Sequence, residues 1–75
     1  MSAMIKPMTG AEYDKALDRL GLSNRFFCQH IIGVEDKTGR NWKSEASPVP
    51  GAVAALLRMA VKLKLSAERL AELVG

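Results

Sequence analysis

The side chains that most often carry catalytic chemistry are scarce in this chain, which has one cysteine, Cys28, and one histidine, His30. The two lie two positions apart on a predicted helix, so they project from different faces. This spacing disfavours both a nucleophile–base pair and a shared metal site. A lone cysteine also cannot form an internal disulfide or a cysteine-rich zinc site. We therefore expect no enzymatic activity, no metal and no cofactor.

A denser group of chemically versatile side chains lies between residues 36 and 44, where a short helix is predicted. Lysine, arginine, asparagine and aspartate carry the donors and acceptors that read base edges and phosphates in DNA. Trp42 is the only large apolar residue of this segment, and a helix that is polar nearly all round needs a solvent or ligand reason to exist. We interpret the segment as a DNA-contacting helix that Trp42, as a structural anchor, fastens to the core.

Size and composition set the class of protein to which this helix belongs. The chain has 75 residues, of which 48% are hydrophobic and 25% charged, as expected for one soluble globular domain. Its net charge of +3 is a mild indication of an anionic partner. No apolar run approaches a membrane span and no apolar leader is evident, so we expect a cytoplasmic protein without membrane contact. Because so small a domain is marginally stable alone, a second copy is plausible.

Helix start and stop signals divide the chain into about five short helices. Thr9 and Glu12 form a capping-box pattern before the first helix, and Gly21 ends it. A helix is also favoured over 23–33, although β-branched and aromatic residues leave a strand as the competing local alternative. The expected fold is a compact all-α bundle over residues 8–75, after a flexible lead-in at 1–7. The later helices are predicted over about 36–44, from Pro50 and after Ser66, and the buried face of the fourth consists of Val53, Leu56, Leu57, Ala60, Val61 and Leu63.

Three short patterns, taken in order, resemble one known family. They are Leu20-Gly21-Leu22-Ser23, Gly33-Val34 with Trp42 nine residues after the glycine, and Ser47-Pro48-Val49-Pro50 before an apolar helix. With this order and spacing, residues 8–63 resemble the Cro/CI-type (lambda-repressor-like, XRE-like) helix-turn-helix family. The chain departs from the family pattern in two places. The stretch from Ser23 to Gly33 is one residue longer than usual, and Gly39 stands where an aliphatic residue is usual.

The resemblance implies a small bacterial or phage transcriptional regulator, a repressor that binds an inverted-repeat operator in double-stranded DNA as a homodimer. The helix-turn-helix would span about 23–44, with C-terminal helices over about 50–75, and the 36–44 recognition helix would enter the major groove. The implied base contacts are Asp36, Lys37, Thr38, Arg40 and Asn41. The implied phosphate contacts are Ser23, Asn24, Arg25, Lys43 and Ser44.

An alternative function belongs to a different class of protein. The apolar surface of residues 65–74 is larger than a short terminal helix needs for itself. With the exposed end of the fourth helix, such a surface is typical of a protein-interaction or antitoxin-like helical module. We expect its apolar residues to pack partly on the core and partly across a homodimer interface, and we expect no small-molecule ligand. We interpret the basic residues outside the polar helix, Lys15, Arg19, Lys62 and Arg69, as solvated surface. The expected interface residues are Leu65, Leu70, Leu73 and Val74.

Overall fold

Helical periodicity and capping residues predicted an all-α chain, and the structure confirms this prediction. The computed structural model describes residues 7–74, which form five helices with no strand between them. Most of the predicted lead-in, residues 1–6, lies outside the described residues. The helices are α1 (Gly10–Leu20), α2 (Asn24–Phe26, continuing without a break as a π-helical segment, Phe27–Ile32), α3 (Asp36–Lys43), α4 (Gly51–Lys62) and α5 (Ala67–Val74).

Local side-chain chemistry sets both ends of α1. The Thr9 backbone N–H donates to Glu12 Oε1 over 2.9 Å, and the Glu12 N–H donates to Thr9 Oγ1 over 3.1 Å, which completes the predicted capping box. At the other end Gly21 adopts a left-handed conformation, with φ at 70°. A residue without a Cβ takes this conformation at little cost, so the glycine stops the helix where the sequence predicted.

The helix that follows α1 contains one irregular segment. Ser23 caps its start, because Ser23 Oγ accepts from the Phe26 N–H over 3.0 Å. The segment Phe27–Ile32 is then π-helical, and the Gly33 N–H donates to the Cys28 carbonyl five residues earlier, over 2.8 Å. A π-turn holds one residue more than an α-turn. The stretch from Ser23 to Gly33 is therefore a helix with one wider turn, and the competing strand does not form.

The last two helices follow their predictions with two small corrections. Pro50 is the residue before α4 rather than its first residue, and Ser66 Oγ caps α5 by accepting from the Arg69 N–H over 3.0 Å. Leu63 was predicted on the buried face of α4 but is 62% exposed. It lies just past the last turn of α4, and Lys64, with φ at 54°, redirects the chain there.

The core lies where α1 packs against both α3 and α4. Tyr13 of α1 is completely buried at its centre. The Tyr13 ring meets Phe27 edge-on at a centroid distance of 6.0 Å and Trp42 edge-on at 5.6 Å. Edge-to-face pairs of this kind add stability beyond the apolar area that they bury. Through these rings, one side chain of α1 holds both the π-helical segment and α3 in position.

Candidate nucleic-acid interface

The helix α3 packs against the rest of the protein through two buried residues, Gly39 and Trp42. Trp42 is 5% exposed and Gly39 is buried, whereas the other residues of α3 are exposed or half-buried. A Cβ on Gly39 would overlap Asn24 Oδ1 and Cys28 Sγ and would lie only 2.8 Å from the Tyr13 hydroxyl. Gly39 thus permits a close approach of α3 to α1 and α2. The neighbouring side chains leave no room at this position for a larger residue.

A second glycine, Gly10 of α1, permits a similar close approach at the C-terminal end of α3. A Cβ on Gly10 would overlap the Lys43 carbonyl oxygen and lie 2.8 Å from that of Trp42. The first turn of α1 therefore lies directly against the last turn of α3. No sequence signal singled out this residue, because a glycine inside a predicted helix indicates a close approach without naming the partner.

A small network of hydrogen bonds fixes the start of α3. The Tyr13 hydroxyl donates to Asn24 Oδ1 over 2.7 Å, and Asn24 Nδ2 donates to the Asp36 backbone carbonyl over 2.9 Å. Cys28 Sγ lies 3.7 Å from both the Tyr13 hydroxyl and Asn24 Oδ1. One asparagine therefore connects α1, α2 and the first residue of α3 through partly buried bonds, which are stronger than exposed ones.

The network keeps Tyr13 neutral. Burial raises the pKa of the Tyr13 hydroxyl well above its ordinary value near 10, and the neighbouring Cys28 thiol and Asp14 carboxylate raise it further. The hydroxyl consequently remains a donor to Asn24 throughout the neutral and mildly alkaline range.

Asn24, one of the predicted phosphate contacts, also has a structural role. Its side-chain oxygen accepts from Tyr13, one N–H of its amide nitrogen donates to the Asp36 carbonyl, and the residue is half-buried. The Asn24 amide therefore positions α3, whereas its second N–H takes part in neither bond. The sequence could not reveal this role, because the partners of Asn24 lie 11 and 12 residues away along the chain.

The structure brings the five predicted base-contact residues together on the outward part of α3. Lys37 and Arg40 are exposed, and Asp36, Thr38 and Asn41 are half-buried. Arg40 Nη1 lies 2.9 Å from Asp36 Oδ2, one helical turn away. This pair is largely exposed, so water and salt weaken it strongly. The surface therefore presents two cations, one carboxylate and two neutral polar groups over about two turns.

The remaining predicted phosphate contacts flank α3 on either side. Arg25 and Ser23 are exposed at the start of α2, where Ser23 Oγ also caps the helix. Lys43 Nζ lies 3.1 Å from Asp14 Oδ1 of α1. Ser44 Oγ donates to the Asn41 carbonyl over 3.3 Å. These four side chains border the outward surface of α3, which we call the α3 face and define as Ser23, Arg25, Asp36, Lys37, Thr38, Arg40, Asn41, Lys43 and Ser44.

Carboxylates balance much of the positive charge near the α3 face. Its four cations are Arg25, Lys37, Arg40 and Lys43, of which Arg40 is paired with Asp36 and Lys43 with Asp14. A groove of about 400 Å³ beside the face is lined by Lys43, Lys15 and Ser23 and by two of the three α1 carboxylates, Asp14 and Asp18. The basic cluster at 37–43 is therefore less positive in the folded protein than along the chain.

The predicted interface residues of the 65–74 segment divide between the core and the surface. Leu70 is 1% exposed and belongs to the core, because it faces inward where α5 packs against the π-helical segment. Leu73 and Val74 are exposed at 59% and 44%, and Leu65 is half-buried. Two exposed apolar residues of the α4 region, Met59 and Leu63, were not among the predicted interface residues.

The part of the chain that the structure describes contains no group of three or more metal-ligating side chains. None of the helices within residues 7–74 has the length and apolar character that crossing a membrane requires.

Comparison of the chain with protein-family models, curated proteins and solved structures gave no match.

Proposed function

We propose that this protein is a sequence-specific double-stranded DNA-binding regulator of transcription, a small bacterial or phage repressor that acts in the cytoplasm. In this proposal 23–44 is a helix-turn-helix and α3 enters the major groove. The observation that carries it is the attachment of α3, which is fixed to the core through Gly39 and Trp42 while its polar residues face outward. A polar helix held so firmly by such a narrow stripe is expected when the exposed side has a ligand.

The dimensions of α3 suit the major groove. An α-helix such as α3 is about 10–12 Å in diameter with its side chains, and the major groove is about 12 Å wide. The Asn24 bond to the Asp36 carbonyl holds the first turn, which is the part of a recognition helix that contacts base edges. The α3 side chains would therefore meet the bases from a rigid support, as sequence-specific recognition requires.

The side chains of α3 divide between base edges and phosphates. Arg40 suits the two acceptors of guanine, Asn41 the donor and acceptor of adenine, and Asp36 the amino group of cytosine. Arg40 and Asp36 are paired with each other in the free protein. Because an exposed pair contributes little stability, exchanging it for base contacts costs little. Lys37 and Thr38 complete the proposed base-contacting set, and Arg25, Lys43, Ser23 and Ser44 lie where phosphates would flank it.

A homodimer is part of this proposal. Leu73 and Val74 of α5 are exposed and Leu65, just before this helix, is half-buried, so the 65–74 segment offers exposed apolar surface. A two-fold dimer would present its recognition helices to half-sites about 34 Å apart in an inverted repeat. Burial of the α5 surface would also add stability to a domain that is small by itself.

The same exposed apolar residues favour a second candidate function, an antitoxin-like or other protein-interaction module. With Met59 and Leu63, the four large apolar side chains at this end of the chain are between 44% and 62% exposed. In this alternative the 65–74 surface binds a different protein and α3 has no nucleic-acid partner. Binding through apolar contacts would respond weakly to salt, which distinguishes it from DNA binding.

Selection of duplexes from a random pool tests the proposal. We expect the protein to enrich an inverted repeat and its affinity to fall steeply with salt, by about 0.9 logarithmic units per phosphate contact for each tenfold increase. Lys37→Ala combined with Arg40→Ala should abolish the enrichment. The charge-matched control, Lys64→Ala with Arg69→Ala, should retain it. If no sequence is enriched and binding is indifferent to salt, the chain is not a sequence-specific DNA-binding protein.

A further inference from the structure

A groove of about 360 Å³ runs between α1 and α4 and shares no residue with the α3 face. Its apolar residues are Met8, Ala16 and Val61, of which the first two are buried and the third is half-buried. Four cations and one carboxylate surround these residues. They are Lys15, Arg19, Arg58, Lys62 and Glu12.

The cations form two short rows. Lys15 and Arg19 are four residues apart on α1, and Arg58 and Lys62 are four residues apart on α4. Residues at this spacing are neighbours on one side of a helix. Because α1 and α4 pack side by side, each helix contributes one row to the groove, with the apolar residues between the rows.

Most of the groove cations take part in no ion pair of the described residues. Within residues 7–74, no ion pair involves Lys15, Arg19 or Lys62, although Lys15 also lines the groove that contains Asp14 and Asp18. Arg58 donates to the Pro7 carbonyl over 3.2 Å, which holds the guanidinium beside the groove. Glu12 Oε1 accepts from the Thr9 N–H as part of the capping box. An adjoining depression shares Arg19 and Val61 with the groove and adds a fifth cation, Lys64.

We propose that the groove between α1 and α4 binds an acidic amphipathic helix of a partner protein. The two rows of cations would face carboxylates on both sides of the partner helix, and the apolar residues between them would receive its central apolar side chains. The helices α1 and α4 are about 16 and 18 Å long, so the groove accommodates roughly three turns of a helix. To match the spacing of these cations, the partner helix would have two acidic residues four positions apart on each side of its apolar stripe.

The groove chemistry distinguishes this partner from two others. A DNA backbone offers phosphates but no apolar group to cover the half-buried Val61 and the exposed edges of Met8 and Ala16. In a second copy of this chain, the acidic residues of α5 share their exposed surface with Arg69, and Arg69 Nη1 already lies 3.3 Å from Glu72 Oε2. A separate acidic helix supplies both the charge and the apolar contact that the groove lacks.

The test uses the full chain and a fluorescent synthetic helix of about four turns, with glutamates four residues apart on both sides of a leucine stripe. A matched peptide has glutamine at every glutamate position. We expect the glutamate peptide to bind at least about tenfold more tightly than the glutamine peptide, with the difference decreasing as salt rises. Lys15→Glu with Lys62→Glu should weaken binding of the glutamate peptide about tenfold or more.

The control Lys37→Glu with Arg69→Glu makes the same change in net charge outside the groove and should alter peptide affinity by less than about threefold. Circular dichroism checks that each variant is folded. If the charge-reversal variant of the groove is unfolded, Lys15→Gln with Lys62→Gln is used in its place. Equal affinities for the two peptides would overturn the proposal. The proposal would also be overturned if the groove variants kept peptide binding but lost binding to duplex DNA or to a second copy of the chain. Because the peptide assay contains no DNA, its result is independent of the function proposed for α3.

Discussion

The α3 face and the groove between α1 and α4 both have at least four cations, yet their electrostatic surroundings differ. On the α3 face Arg40 pairs with Asp36 and Lys43 with Asp14. Beside the groove Lys15, Arg19 and Lys62 take part in none of the ion pairs of the described residues. Among residues 7–74, the groove therefore has more unpaired cations around it than the α3 face has. This is so even though basic residues cluster in sequence at 37–43, within the α3 face. Charge clustering along a chain and charge density on the folded surface are separate properties.

The two surfaces also differ in how they are supported. The position of the α3 face depends on the fit of α3 against α1 and α2 at Gly39, at the Tyr13–Asn24 bond and at the Trp42 ring. The groove is formed by two long helices packed side by side. Changes in the α3 supports should therefore affect the α3 face while leaving the groove in place. Four single substitutions test this difference.

Gly39→Ala should destabilise the protein most. Its Cβ would overlap Asn24 and Cys28, and overpacking of a tight interior costs about 1–3 kcal/mol, here at the upper end because polar bonds are also disturbed. We expect a decrease of about 3 kcal/mol in the free energy of unfolding, measured by urea denaturation. Gly51→Ala, at an exposed position of α4, is the control and should cost less than about 0.5 kcal/mol. Comparable decreases for both variants would mean that α3 is not closely packed at Gly39.

Asn41→Ala tests base recognition by the α3 face. Removal of one bidentate contact should reduce discrimination at a single base pair by about 1–3 kcal/mol, while other positions of the operator keep their preferences. Measurement of affinities for a set of single-base-pair variants of the selected duplex would reveal the position. Lys43→Ala is expected to weaken binding to all duplexes equally. The same result for Asn41→Ala would mean that Asn41 contacts a phosphate and not a base.

Tyr13→Phe tests the support of α3 through pH. The raised pKa of Tyr13 means that above about pH 10 the unfolded chain releases this proton while the native chain keeps it. The contribution of Tyr13 is therefore complete below pH 10 and falls as pH rises further. We expect the variant to be about 1 kcal/mol less stable at pH 7, because the bond to Asn24 is missing, and to show a smaller decline between pH 9 and 11. An unchanged decline would assign the alkaline sensitivity to other groups.

Asp14→Asn should change the free energy least, and it tests the electrostatic difference between the two surfaces. It frees Lys43 and removes a negative charge beside the α3 face, so affinity for all duplexes should rise by about threefold at low salt. Glu68→Gln on α5 removes the same charge elsewhere and is the control, which we expect to change affinity less. Affinity for the acidic peptide should stay the same in both variants. A gain confined to Glu68→Gln would contradict the position assigned to the DNA-binding surface.

Much of the fold could be predicted because its determinants are local. Thr9 with Glu12, Ser23 and Ser66 bond to backbone groups within three residues, and Gly21 and Gly33 end their helices by their own conformation. Such signals depend on a few neighbouring residues, so they are visible in the sequence. The helix over 23–33 was predicted in the same way, but its π-helical turn was not.

The candidate site was less predictable because its determinants are distant in sequence. Asn24 looked like a surface residue until Tyr13 and the Asp36 carbonyl were found beside it. The inward position of Leu70, as opposed to Leu73, depends on the angle at which α5 meets the π-helical segment. Lys15 and Lys62 are ordinary solvated lysines in their own helices, and only the packing of α1 on α4 places them around one groove.

The salt dependence of DNA binding is the decisive test of whether α3 is the DNA-contacting helix. Affinity for the selected duplex would be measured over a range of salt for the wild type and three double variants. The variants are Lys37→Ala with Arg40→Ala at base contacts, Arg25→Ala with Lys43→Ala at phosphate contacts, and Lys15→Ala with Lys62→Ala beside the groove. Removing one phosphate contact should reduce the slope of log affinity against log salt by about 0.9. We predict loss of sequence preference for the base-contact variant, a reduced slope for the phosphate-contact variant, and no change in either property for the groove variant. The reverse pattern would contradict the role proposed for α3 and assign DNA binding to the groove.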